Sequence, residues 1–361
     1  MIQTSIDYDP FSRGLFPVGV RTIEARDTAR DRVFPCEIWY PAAGDYAGRD
    51  IAPDTQDIFD VAPHQTKRRQ SAVRDARPGS GLSPLILFSH SSAGGRRSAS
   101  FLCTHLSSHG YVVAALDHSE LIAPDLAPSA DETASQRAAR IEALIASRVP
   151  DACFLLDLMT SDRLPSLGIG VDPALIGIVG HSLGGWTALS TTEADRRIRA
   201  TVALAPGGAS RVKPGILPLE LAFDWGRDVP VLYVVAENDV SLPLDGMVEI
   251  FERTPATKQM VILRKADHFH FVDDVEIVHE AIRQTAFAGE LAWIPREMKP
   301  ISDLSTGSQA HLAIRGLTLC HFDAWLKERA DARAVLSANL EAELLRRGVS
   351  VGTYDVQNAD T

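Results

Sequence analysis

Cysteine is sparse in this chain. Cys36, Cys103, Cys153 and Cys320 are the four thiols among 361 residues, far apart and without C-x-x-C or zinc-like spacing. A disulfide scaffold and a cysteine-built metal site are therefore not expected. Cys103, Cys153 and Cys320 fall among apolar residues in helical patterns and are expected to be buried free thiols. An excess of basic charge is also missing. The formal net charge is -11, which argues against nucleic acid and anionic membrane surfaces as partners. Lys67-Arg68-Arg69 is a short basic run in a polar loop, expected as a solvated face. No apolar stretch approaches a bilayer span. Met1 to Tyr8 lacks a basic n-region and an apolar h-region, so a cytoplasmic protein is expected. Internal repeats, low-complexity tracts and an interdomain linker are absent as well.

With 45% apolar and 23% charged residues, the composition suits a soluble protein with a sizeable core. The length is large for one domain but within reach of an α/β fold with insertions. Val18 to Ala25 and Val33 to Tyr40 alternate apolar and polar residues and predict two antiparallel edge strands. Pro41 to Ser83, rich in Pro, Asp, Gly and Arg, predicts a long surface loop. The pattern then changes to short continuous apolar runs, as in strands covered on both faces. These are Leu85 to Phe88, Tyr111 to Leu116, Ala174 to Val179, Ala200 to Leu204, Val231 to Val235 and Met260 to Leu263, the last strand expected. Helical patterns cover Ser100 to Ser108, Ala138 to Thr160, Leu244 to Arg253, Ala310 to Leu326 and Ala332 to Arg347. Strands alternating with helices predict an α/β fold with a mostly parallel central sheet and helices on both faces. One domain over 1–361 is the simplest organisation, with 118–137 and 291–305 as cap insertions over the carboxyl ends of the strands, where the catalytic residues of such sheets gather.

The most informative segment is Gly180-His181-Ser182-Leu183-Gly184-Gly185. It joins the apolar run ending at Val179 to a helical pattern opening at Trp186. A strand, then G-x-S-x-G, then a helix is a nucleophile elbow, in which a strained turn lifts the serine oxygen clear of the sheet. A serine hydroxyl needs a base, and the base needs an orienting carboxylate. Asp239 follows the Val231 to Val235 run and His268 follows Met260 to Leu263, so Ser182, Asp239 and His268 reach one sheet edge in the order Ser, Asp, His. Glu237 is the rival acid, lying closer to its strand. His270 is the rival base, sharing a face with His268 if the segment is extended.

Acyl transfer also needs two backbone N–H groups aimed at the developing oxyanion. Leu183, after the nucleophile, supplies one. The loop Ser89-His90-Ser91-Ser92-Ala93-Gly94-Gly95 supplies the other, with Ser92 the candidate and Ser91 next. His90 is read as a residue that fixes this loop. Arg96 and Arg97 are read as a solvated helix N-terminus, with bidentate binding of a substrate carboxylate as the alternative. Asp117 and His118 end a strand near the site mouth. Trp186, Phe269, Phe271 and Trp293 are candidates to line an acyl pocket, with packing the commoner role for such residues.

The chain resembles α/β-hydrolases of the dienelactone-hydrolase and platelet-activating-factor-acetylhydrolase-like group. The carrying segments are Ile38-Trp39-Tyr40-Pro41, Phe88-Ser89-His90, Ser108 to Ala115, the Gly180 to Gly185 elbow and Ala266-Asp267-His268-Phe269. Two features differ. His90-Ser91-Ser92-Ala93 stands where the acetylhydrolases have His-Gly-Leu-Gly, and Leu204-Ala205-Pro206 offers no acid where they carry theirs. The resemblance implies a serine esterase acting on a small-molecule carboxylic ester, without metal or organic cofactor. Amide or peptide cleavage by the same triad is one alternative, and a binding protein on a hydrolase fold is another. Haloalkane and epoxide chemistry is disfavoured, since it needs a carboxylate where Ser182 stands.

Overall fold

The computed structural model of the chain describes residues 8–60, 67–118, 132–161, 167–287 and 289–355. Its strands are β1 (Val18–Asp27), β2 (Arg32–Pro41), β3 (Asp57–Asp60), β4 (Lys67–Gln70), β5 (Val73–Arg74), β6 (Ser83–Ser89), β7 (Val112–Leu116), β8 (Val171–His181), β9 (Ile198–Leu204), β10 (Val231–Ala236), β11 (Lys258–Leu263) and β12 (Val351–Tyr354). The main helices are α1 (Ser100–Ser108), α2 (Ala134–Met159), α3 (Leu183–Ala194), α4 (Leu244–Arg253), α5 (Val275–Gln284), α6 (Gly307–Trp325), α7 (Ala330–Ser337) and α8 (Leu340–Arg346).

One 10-stranded sheet runs in the order β12-β11-β10-β9-β8-β6-β7-β2-β1-β5. Its centre, from β7 through β6, β8, β9 and β10 to β11, is parallel. The β1–β2, β2–β7 and β11–β12 pairings are antiparallel. The central strands are apolar on both sides because both faces are covered. Ile86 and Phe88 of β6 face a cluster with Leu102 and Leu106 of α1 and Ile314, Leu317 and Phe322 of α6. Leu85 and Leu87, with the opposite pleat, face Leu155, Leu156 and Met159 of α2. This is the α/β arrangement, a mostly parallel sheet with helices on both faces, that the strand and helix periods predict.

Several expectations are corrected. β2 is internal, because β7 pairs with its other edge and buries Cys36, Ile38, Trp39 and Tyr40. The Pro41 to Ser83 segment is more than a loop: β3 pairs with β4, and β5 adds to β1. The basic run lies in β4, with Arg68 ion-paired to Asp274 and the neighbouring Gln70 buried. Gln70 accepts from Trp39 Nε1 at 2.6 Å and donates to Asp57 at 2.6 Å. Charged residues on alternate exposed positions hid this strand. Met260 to Leu263 is not in the last strand, since β12 pairs antiparallel with β11. The Ala332 to Arg347 pattern is two helices, interrupted where Asn339 caps α8 through Ala342 N–H at 2.9 Å. α2 begins at Ala134, inside the expected 118–137 insertion, and 119–131 lie outside the described residues. Of the thiols, Cys36, Cys103 and Cys320 are buried and Cys153 is half-buried, all four free.

Helix α1 is capped from a distance. Its own N-cap, Ala99, has no side chain for the task. Asp273, after the last parallel strand, accepts the N–H groups of Ser100 at 2.8 Å and Phe101 at 3.1 Å and donates its own N–H to Ser98 at 2.8 Å. Burial pushes its carboxyl up to about 6, against the lowering effect of these bonds. Asp273→Ala strips two helix-end N–H groups of their acceptor and is expected to cost about 1–2 kcal/mol. Urea unfolding measures this, and a midpoint equal to the parent's would show the cap to be idle.

Candidate active site

Strand β8 ends at His181 and α3 opens at Leu183, leaving Ser182 alone in the turn with φ 59° and ψ -118°. A positive φ on a non-glycine residue costs on the order of 1–3 kcal/mol and persists only when neighbours fix it. Here they do. Ser182 N–H donates to Leu204 O at 2.9 Å, and Ser182 O accepts from Gly207 N–H at 3.1 Å and Trp186 N–H at 3.0 Å. The flanking glycines are steric requirements. A Cβ on Gly180 would collide with the Gly184 carbonyl, and one on Gly184 with the carbonyls of Ser89 and His90.

The structure brings Ser182, His268 and Asp239 together. His268 Nε2 lies 3.0 Å from Ser182 Oγ, and His268 Nδ1 lies 2.6 Å from Asp239 Oδ2. Asp239 is buried, and its other oxygen accepts the N–H groups of Ser241 at 2.9 Å and Leu242 at 2.8 Å. Those bonds fix the carboxylate plane. An acceptor at Nδ1 selects the tautomer with the proton there and leaves the Nε2 lone pair facing the serine. Burial pushes the His268 imidazole down, but the Asp239 carboxylate outweighs it and holds the group above its ordinary value.

The rivals are engaged elsewhere. Glu237 pairs with Arg264 at 3.0 Å and accepts Lys265 N–H at 2.9 Å. His270 is fully buried between Asp267 at 2.8 Å and Ser305 O at 2.9 Å. The segment is a 3-10 turn over His268–Phe271 and not extended, so the two histidines point apart. His181 was not singled out by sequence reasoning. Its buried ring packs 4.8 Å from the His268 ring and 5.2 Å from Phe271, and burial keeps it neutral.

Loop 89–97 lies against the elbow through the Gly184 contact. His90 is buried and bonds Ser91 O through Nδ1 at 2.7 Å, which fits its expected loop-fixing role. Ser91 and Ser92 are half-buried beside it, and Leu183, buried, opens α3. Arg96 and Arg97 are half-buried and held in ion pairs. Both pair with buried Glu37, Arg97 at 2.9 Å, and Arg96 also binds Asp117. His118 is buried against Ser89 and Asp151.

Among the proposed pocket residues, Trp186 is buried with Leu219 and Leu221 and donates to Glu220 O at 2.7 Å. Phe271 is in the core. Phe269 is half-buried, edge-on to His268 at 5.7 Å. Trp293, half-buried, donates to Pro214 O at 3.0 Å.

Comparison with known proteins agrees with the architecture. Residues 58–142 match the family model of platelet-activating factor acetylhydrolase, isoform II, a span that holds loop 89–97 and ends before Ser182. The platelet-activating factor acetylhydrolase of Cavia porcellus is 25% identical over 224 residues, covering 53% of this chain and 48% of that protein. The match thus spans about half the length of this relative. A ferulic acid esterase from Streptomyces cinnamoneus superposes with a TM-score of 0.64 at 22% identity, over 94% of this chain and 97% of its own. That likeness establishes a shared fold.

The Asp239 carboxylate is what raises the His268 imidazole. In solution its ring is expected to titrate above the ordinary value of about 6.5. Asp239→Asn should lower the midpoint, because burial is then opposed by the Asp267 carboxylate alone. Nitrogen NMR of the imidazole across pH 4 to 9 reads both values, and an unmoved midpoint in Asp239→Asn would break the assigned pairing.

Proposed function

We propose that this chain is a serine hydrolase of carboxylic esters, working through Ser182, His268 and Asp239. The observation that carries the reading is the unbroken line of hydrogen bonds from Ser182 Oγ through both His268 nitrogens to Asp239. The similarity to an acetylhydrolase and the fold shared with a ferulic acid esterase support it.

His268 Nε2 takes the hydroxyl proton as Ser182 Oγ bonds to the ester carbonyl carbon. Asp239 stabilises the imidazolium that forms. The carbonyl oxygen becomes an oxyanion facing the N–H groups of Leu183 and Ser92. Collapse of the tetrahedral species breaks the bond to the alcohol, which leaves with the proton from His268. Water then attacks the acyl carbon as His268 takes its proton, and collapse of the second tetrahedral species releases the acid as His268 returns that proton to the departing Ser182 Oγ. Protein groups and water carry every step, so no cofactor enters this scheme.

The substrate is a small ester of short or medium acyl chain. Segment 291–305 acts as a cap on a single domain. Trp293 bonds Pro214 O, Lys213 Nζ sits 4.5 Å from the Trp293 ring, and Lys299 bonds Asn238 beside Asp239. The segment is thereby tied to the loops after β9 and β10, at the catalytic edge, which limits the room for a long chain. No helix among the described residues is long and apolar enough to cross a membrane.

Ser182→Ala is expected to lower hydrolysis of p-nitrophenyl acetate at least about 10³-fold and to abolish labelling by a fluorophosphonate probe, with the fold retained. Activity within tenfold of the parent would sink the mechanism. The rate should rise with pH through one ionisation at the raised His268 value, since only the neutral imidazole accepts the proton.

In a detergent-controlled p-nitrophenyl series, acetate or butyrate should show a higher kcat/KM than palmitate. A preference for palmitate, or activation at an oil–water interface, would overturn the cap reading.

A further inference from the structure

Resting on the hydrolase reading above, we propose that Arg148 is a positioning residue that aims the oxyanion loop, and that Ser89, His118 and Asp151 hold it in register. Arg148 lies on α2, fully buried, and Asp151 follows one turn later, also fully buried. Burying a guanidinium is costly, and an aliphatic side chain would fill the same space without that cost. Its hydrogen bonds to the loop indicate what the charge is for. Arg148 Nη1 donates to His90 O at 2.7 Å and to Ser89 Oγ at 3.3 Å, and Nη2 donates to Ser91 O at 3.3 Å. The planar fork thus grips successive positions of the loop after β6.

The rest of the network has one consistent assignment of protons. His118 Nδ1–H donates to Asp151 Oδ2 at 3.0 Å, so His118 Nε2 is the acceptor for Ser89 Oγ–H at 3.2 Å. His118 N–H donates to His90 Nε2 at 3.1 Å, so His90 carries its proton on Nδ1 and donates it to Ser91 O at 2.7 Å. Burial and the neighbouring Arg148 charge keep both rings neutral, as this assignment requires. Asp151 is anchored in turn by Arg30 at 2.7 Å and Arg32 at 2.6 Å, from the turn between β1 and β2 and the start of β2.

The functional consequence follows from peptide geometry. In a trans peptide the C=O of one residue and the N–H of the next point in opposite directions. The Ser91 carbonyl is held by His90 Nδ1, by Gly94 N–H at 3.1 Å and by Arg148. Fixing it toward α2 fixes the Ser92 N–H toward the other side of the peptide. Ser92 N–H is the donor assigned to the oxyanion, so its aim is set by a charge that never touches the substrate.

The test compares Arg148→Met, Arg148→Lys and Ser89→Ala in the full chain, with kcat expressed per active site titrated by the p-nitrophenyl acetate burst. That normalisation removes any loss due only to misfolded protein. Arg148→Met is expected to lower kcat about 10²-fold, the scale of one misplaced oxyanion donor. KM should stay within about threefold, and the pH midpoint should not move, since His268 is untouched. The inhibition constant of an alkyl boronic acid, whose serine adduct places an oxygen in the oxyanion position, should rise in parallel with the loss in kcat. Arg148→Lys restores charge but not the fork and should recover part of the rate. Ser89→Ala should lose less than Arg148→Met.

If Arg148→Met does not fold, Arg148→Lys and Ser89→Ala decide. Titrated kcat and boronate affinity within about threefold of the parent in the folded variants would overturn the proposal. A shifted pH midpoint with boronate affinity unchanged would overturn it too, by placing the effect on His268. Full activity in Ser182→Ala would refute the hydrolase reading itself, whereas an inactive Ser182→Ala beside a fully active Arg148→Met would refute only the role of Arg148.

Discussion

Three pieces of backbone meet at the elbow with no room for a side chain between them. The end of β8, the first turn of α3 and the loop after β6 converge where a Cβ on Gly180 would overlap the Gly184 carbonyl and one on Gly184 the carbonyls of Ser89 and His90. This close approach places Ser182, the proposed nucleophile, and loop 89–97, the proposed oxyanion loop, in one frame. Ser182 then has to take a left-handed φ, and the surrounding hydrogen bonds to Leu204, Gly207 and Trp186 hold it there. The strain is local and the support is distributed, which is how a sparsely populated conformation survives in a folded protein.

Electrostatics does for the loops what close packing does for the elbow. Although the chain is acidic overall, its important carboxylates are buried and paired. Glu37 faces Arg74, Arg96 and Arg97, and Asp151 faces Arg30, Arg32 and His118. Such pairs are weak evidence for stability, because desolvation offsets attraction. Their use is geometric: Arg96 and Arg97 tie loop 89–97 to β2, and Arg30 and Arg32 tie α2 to the β1–β2 turn and the start of β2. The Asp239–His268 pair is built likewise, with a buried carboxylate and a histidine side chain that stays partly accessible.

The central strands and the order Ser182, Asp239, His268 were legible in the sequence because both are properties of continuous local pattern. Strands covered on both faces must be apolar throughout, and catalytic groups must follow strand ends. Strands β3, β4, β5 and β12 were not legible, since they are only two to four residues long and made by their partners. Lys67-Arg68-Arg69 has no apolar signal, and only the pairing with β3 makes it a strand. Arg148, Asp151 and His118 were equally hidden in their roles. A charged pair spaced three apart on a long helix reads as an exposed face, and nothing local shows that this turn of α2 dives beneath the loop after β6. Arg96 and Arg97 failed in the same way: their partner Glu37 lies far back in the sequence, on a strand that looked like an edge.

The strand ends beside the elbow are used differently. Strand β9 is nearer than β10 to Ser182, and its end reaches the same sheet edge. That end is already occupied. Ala205 adopts φ 39°, the Pro206 backbone lies against Gly185, and Gly207 N–H donates to the Ser182 carbonyl. The β9 loop is therefore part of the elbow's support. Strand β10 has no such duty, and it pairs directly with β11, the strand that leads to His268. A carboxylate just past Ala236 meets an imidazole just past Leu263 across adjacent strand ends, and the N–H groups of Ser241 and Leu242 lock it in place. In this chain the end of β9 braces the elbow, and the candidate acid stands after β10, beside the strand that leads to His268.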